Sequence, residues 1–210
     1  MEAIALPTRE HLLATARKLL DDEGLETLTL RAIARRGGLS HGAPLRHFPS
    51  LAALLSAVAA QGFRELVVSV GAATAEAGAD ASSIERLATA GRGYVRFALG
   101  SPGVFALMFH PDRLDTSDTD YRDAGQAAFG QLLELVADAQ AAGFRPDVPT
   151  IDLASVVWAT VHGLAQLRIQ GAMQGAGGAD LEPALNVMSD LLFGVPRPDA
   201  ARATRRRTAR

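Results

Sequence analysis

Apolar residues recur along this chain at spacings of three and four, and β-branched runs are short, as at Val67-Val68. That period belongs to helices with one buried face, so the pattern predicts an all-α chain. A first helix is expected over about residues 9–23. Thr8 is its N-cap, Pro7 lies just outside, and Leu12, Ala16 and Leu19 form a stripe flanked by Leu13 and Leu20. Gly24 is suited to the left-handed conformation that ends it. Short helices are expected over about 30–36 and 41–48, then long ones over 51–77, 82–99, 119–143 and 151–173. A short helix near 103–109 and a last one over 181–193 complete the set. Residues 110–118 read as a polar loop, 145–149 as a linker and 175–178 as a flexible connection.

The length of 210 residues suggests one compact unit, or a small domain joined to a larger one. There is no cysteine, which excludes disulfides, Cys-ligated metals and a Cys nucleophile. Residues 1–8 show no signal-peptide pattern, and no stretch of about 18 residues is apolar without polar interruption, so a cytoplasmic chain with no membrane span is expected. The net charge of −2 hides an uneven distribution. Residues 1–64 balance at +2, 65–195 at −9 and 196–210 at +5. The basic ends are therefore the candidates for polyanion contact. The Pro/Ala/Arg composition after residue 195 offers no core, which predicts a disordered basic tail. Arg205-Arg206-Arg207 within it is read as a solubilising run, with nucleic-acid contact as the alternative.

Chemistry concentrates in the segment 29–50. Two short helices joined by a glycine-containing turn describe a helix-turn-helix. Thr29 caps the first, Ile33 and Ala34 face inward, and Gly38 accepts the backbone angles of the turn. Leu39 plugs inward, and Ser40 caps the next helix, with Pro44 in its first turn. The N-terminal residues of such a helix reach base edges in the major groove. His41 offers a hydrogen bond there and Ala43 a methyl for thymine. Arg31, Arg35, Arg36 and Arg46 are candidates for phosphate contact, against the plainer reading of a solvated basic face.

The stretch Thr29-Leu-Arg-Ala-Ile-Ala-Arg-Arg-Gly-Gly38, then Leu39-Ser-His-Gly-Ala-Pro-Leu-Arg-His-Phe48, resembles the DNA-binding domain of the TetR family of transcriptional regulators. Pro49-Ser50, Leu54-Leu55 and, upstream, Ala14, Ala16, Leu19, Leu20 and Gly24 extend the likeness over about residues 8–66. Trp158, His162 and Gly163 are similar to the Trp-His-Gly signature of one subclass of C-terminal domains. The resemblance implies a three-helix helix-turn-helix domain at 8–66 joined to a helical-bundle effector-binding and dimerisation domain at 67–195. It implies a homodimeric repressor on a pseudo-palindromic double-stranded DNA operator, released by a small, mostly apolar effector. It places Thr29, Arg31, Ser40, His41, Gly42, Ala43, Leu45, Arg46 and His47 at the duplex. Two positions depart from the family pattern: Leu45 stands where an aromatic is usual, and Leu51 where lysine is usual.

In the remainder, Trp158 and His162 share one helix face at i, i+4, which reads as an aromatic wall with one polar group. Tyr94, Phe97, Phe105, Met108 and Phe109 are further candidates for lining a ligand cavity. For all seven the alternative is plain core packing. The acidic run Asp112, Asp115, Asp118, Asp120, Asp123 lacks the glycine and terminal glutamate of a calcium loop and reads as a solvated loop with helix-capping residues. The histidines show no metal-ligand spacing, and no nucleophile–base motif is visible, so neither a cofactor nor an enzymatic activity is expected. The competing class is an all-helical enzyme or small-molecule-binding protein whose basic head is incidental. A third possibility is a regulator that has lost its effector.

Overall fold

A computed structural model of the chain describes residues 9–173 and 182–194. Among these, eight α-helices and three short 3-10 turns occur and no strand. The helices are α1 (Arg9–Glu23), α2 (Leu30–Arg36), α3 (Leu51–Glu76), α4 (Ser83–Gly100), α5 (Pro102–Met108), α6 (Thr119–Ala141), α7 (Thr150–Ile169) and α8 (Glu182–Phe193). The expected N-cap Thr8, the 175–178 connection and the 196–210 tail lie outside the described residues.

The helix ends follow local chemistry. α1 stops where Gly24 takes φ 80° and returns its N–H to the Leu20 carbonyl at 3.0 Å. At α2, the Thr29 hydroxyl accepts from the Ala32 N–H at 3.0 Å. α4 begins with a reciprocal pair. Glu85 N–H donates to Ser82 Oγ at 3.2 Å, and Ser82 N–H donates back to the Glu85 carboxylate at 2.8 Å. Asp118 caps α6 by accepting from Tyr121 N–H at 2.9 Å. Part of the acidic run is thus helix-start and turn chemistry, as expected. Asp115 likewise accepts from Ser117, which holds its carboxyl below the usual carboxylate range. No group of three metal-ligating side chains occurs among the described residues.

The chain divides into two compact units. The first holds residues 9–65 and 100–128 of the described chain. Its core is the α1 stripe Leu12, Leu13, Ala16, Leu19 and Leu20, with Ile33 of α2, Leu54, Leu55 and Val58 of α3, and Phe105, Leu107 and Met108 of α5. Burying a side chain of this kind contributes about 1.5–3 kcal/mol. α5 lies close against α1, because a Cβ on Gly103 would sit 2.8 Å from the Leu20 carbonyl. Two polar clasps fix the loop after α5. Asp115 N–H donates to the buried Ser56 hydroxyl at 2.9 Å, and Arg113 donates to the Leu25 carbonyl at 3.0 Å.

The second unit holds residues 66–99 with 129–173 and 182–194. Its centre is Leu87, Ala88, Val136, Ala139, Ala154, Val157 and Phe193. α3 and α4 approach closely at Gly93, whose carbonyl accepts from the Ser69 hydroxyl at 2.9 Å. The corner between α6 and α7 is organised by Gln140, which donates to the carbonyls of Arg145 and Val148 and accepts from Thr150. α3 crosses from one unit to the other. It contains a window long and apolar enough, by length and composition, to cross a membrane, with mean hydropathy 1.5. Of that window, 56% is buried inside the fold, where a core helix of this composition belongs.

Candidate functional site

In the first unit the segment expected to form a recognition helix is tighter and shorter than the sequence suggests. Residues 41–43 form a turn, and only Pro44–Arg46 is helical, as one 3-10 turn. Pro44 has no N–H, and three bonds run between residues three apart, Ala43 N–H to Ser40 O, Arg46 N–H to Ala43 O and His47 N–H to Pro44 O, before Phe48 N–H closes an α-type bond to Pro44 O at 2.9 Å. Ser40 therefore contributes its carbonyl to the turn. Gly38 takes φ 67°, as the turn requires, and Leu39 is half-buried beneath it.

This winding decides which side chains face out. His41, Gly42, Leu45, Arg46 and His47 are exposed, as are Thr29, Arg31 and Ser40. Leu45 is 56% exposed. Ala43 corrects the sequence reading. It is only 4% exposed, so its methyl is not presented to a thymine. Arg36 is a second correction. Its guanidinium is paired with Asp22 and, at 3.3 Å, with Glu23 at the end of α1. Arg31, Arg35 and Arg46 make no ion pair among the described residues.

In the second unit three of the expected ligand residues converge. The Trp158 indole N–H donates to the Tyr94 oxygen at 3.2 Å. The Tyr94 hydroxyl lies 2.8 Å from His162 Nδ1. A neutral imidazole either accepts the phenol proton at Nδ1 or donates from Nδ1 to the phenol oxygen, according to its tautomer. The rings reinforce this order. Trp158 and His162 meet edge-on with centroids 6.1 Å apart, and Tyr94 and His162 do so at 6.3 Å. Burial pushes the Tyr94 phenol pKa up and holds that of His162 below its ordinary value of 6.5. Phe129 of α6 completes the wall, 5.7 Å from Trp158. The sequence reading missed Phe129, since a lone aromatic in an alanine-rich helix carries no signal of its own.

The other candidates divide. Phe97 is buried one turn beyond Tyr94 on α4. Phe105, Met108 and Phe109 belong to the first unit, so the seven residues do not form one cluster within either unit. Phe105 and Met108 are fully buried there. Phe109 packs edge-on against Phe105 at 5.3 Å and Phe63 at 5.6 Å, and Met108 and Val104 close over Gly62. Their surroundings are those of core residues that seat α5 on α3.

An exposed helix-turn-helix flanked by unpaired arginines, in a chain with an all-helical second unit, defines a DNA-binding transcriptional regulator of the helix-turn-helix class. Residues 12–58 match the bacterial regulatory proteins of the tetR family, and residues 87–192 match the tetracyclin repressor-like C-terminal domain. The chain belongs to the TetR family.

Solved structures agree. A protein of unknown function from Rhodococcus sp. RHA1 is 31% identical, with 94% of this chain and 100% of that one covered and a TM-score of 0.79. A TetR family transcription regulator from Marinobacter aquaeolei VT8 is 16% identical, over 89% of this chain and 93% of that one, with a TM-score of 0.67. The fatty acid degradation regulator FadR from Bacillus halodurans is 13% identical, over 89% and 95%, with a TM-score of 0.69. The last two share the fold. No curated protein matches the sequence.

Proposed function

We propose that this protein is a ligand-responsive repressor that binds a pseudo-palindromic operator as a homodimer. The duplex is met by the exposed residues of the turn and recognition segment, namely His41, Leu45, Arg46 and His47 with Thr29, Arg31 and Ser40. The effector is a small, mostly apolar molecule that borders the Tyr94, Trp158 and His162 group. The observation that carries the effector reading is that group itself: an aromatic and imidazole cluster, drawn from α4 and α7, within the second helical unit. Such a composition, with few polar groups at fixed places, is what small-molecule sites share.

The dimer has its own support. α7 leaves Ile151, Val156 and Leu167 about half exposed, and α8 leaves Leu191 at 78%. Large apolar side chains in one helical pair mark a surface that a partner covers. Effector binding then shifts the population away from the DNA-competent state by as much as its affinity differs between the two states.

Selection from a random duplex library tests the operator claim. The expected winner is an inverted repeat with half-sites about 34–36 Å apart, one helical turn. Selection that enriches no repeat removes the claim. For the effector, a compound found to release the selected DNA is tested on His162→Leu. The variant should keep DNA binding and lose release. Unchanged release, or an unfolded variant, returns His162 to the core.

A further inference from the structure

The arginines of the first unit fall into two groups. Arg17, Arg36, Arg64 and Arg113 are each held by a carboxylate of the same unit. Arg31, Arg35 and Arg46, on or beside the helix-turn-helix, are not, and neither is Arg122 of α6. Arg9 joins the second group. It is the first residue of α1, far in sequence from the recognition segment, and it is exposed. Among the described residues no carboxylate pairs with it. Its guanidinium carbon instead lies 5.2 Å from the centroid of the Phe48 ring.

Phe48 is 4% exposed and follows directly on Arg46 and His47, so its ring is a fixed part of the recognition segment. A guanidinium over an aromatic face keeps its charge and its N–H donors, while the ring restricts where it sits. The cation–π contact thus holds a charged fork beside the end of the element that meets the duplex. An ion pair would have neutralised that charge.

We propose that Arg9 is a further phosphate-contacting residue of the DNA interface, positioned by Phe48. This rests on the DNA-binding reading above and extends it to a residue outside the helix-turn-helix. The interaction is with the backbone, so it is independent of sequence and visible on any duplex.

The test is a titration of full-length protein onto a random-sequence duplex at several salt concentrations, for wild type, Arg9→Gln, Arg9→Lys and Arg46→Gln. Thermal melts of each variant accompany it. Removing one neutralised phosphate per protomer lowers the slope of log affinity against log salt by about 0.9, or about 1.8 for a dimer. Between 50 and 200 mM salt, the wild type should then weaken by about twelvefold more than Arg9→Gln does. Arg9→Lys should keep the wild-type slope. A purely structural role for Arg9 would lower the melting temperature and leave the slope alone. If Arg46→Gln lowers the slope and Arg9→Gln does not, the Arg9 assignment falls and the DNA reading stands. If wild type shows no salt-dependent binding at all, both fall.

Discussion

Gly93 gives the sharpest prediction about the helical body. A Cβ built there would lie 2.7 Å from the Ser69 carbonyl oxygen, 2.8 Å from Ala73 Cβ and 2.9 Å from Val70 Cα. Ordinary contact starts near 3.4 Å, so α3 and α4 would have to separate by about 0.7 Å, and the blocking atoms are backbone or Cβ, with no rotamer to turn. Overpacking of this kind costs about 1–3 kcal/mol, and rigid surroundings favour the upper end. Replacing a mid-helix glycine by alanine returns about 1 kcal/mol of helix propensity. Gly93→Ala should therefore destabilise the protein by about 2 kcal/mol, or roughly 4–8 °C in melting temperature at this chain length. Gly130 is the matched comparison. It lies within α6, and a Cβ there meets nothing within 4 Å. Gly130→Ala should gain the propensity alone and melt about 2–4 °C higher. Calorimetry at equal protein concentration reads both. Equal melting temperatures for the two variants would refute the close approach of α3 and α4, and with it the placement of Tyr94 one residue on.

Burial holds the His162 pKa below 6.5, so between its folded pKa and about 6.5 the unfolded chain binds more protons. The stability this group contributes is whole above that range and is lost as pH falls through it. His162→Gln should flatten this part of the urea-midpoint profile between pH 7.5 and 5, and an unchanged profile would show that His162 titrates as in the unfolded chain. Leu51 is the first residue of α3 and is only half-buried. Leu51→Lys should steepen the salt dependence of DNA binding by roughly two units per dimer. An unchanged slope would mean that residue 51 does not face phosphate.

Much of this architecture was legible in the residues. Gly24, Thr29, Ser82 and Asp118 act within a turn of their own position, so local chemistry announces where helices begin and end. The i, i+4 spacing of Trp158 and His162 was enough to put them on one face. What joins them is Tyr94, from another helix, and no local pattern states that its hydroxyl falls between the two. The same limit hid Phe129 and the close passages at Gly62, Gly93 and Gly103, which depend on what another helix presents. The recognition segment failed for a different reason. Its composition allowed a helix over 41–48, but Pro44 removes a donor and only one 3-10 turn, Pro44–Arg46, forms. Ala43, just before it, is buried. Arg36 looked like its neighbours on α2 until the end of α1 supplied Asp22 and Glu23.

Trp158 is the single tryptophan of the chain. Its indole N–H is engaged by Tyr94, the residue is 37% exposed, and an imidazole stands beside it. Light absorbed at the red edge of the aromatic band is therefore absorbed by one ring in one place. The emission has no background from other indoles, and its colour follows the polarity at that ring. Its yield follows the charge on the neighbouring imidazole, since a protonated imidazole quenches an excited indole. The protein carries its own optical reporter at the Tyr94–His162 junction, and a compound entering there announces itself without a label.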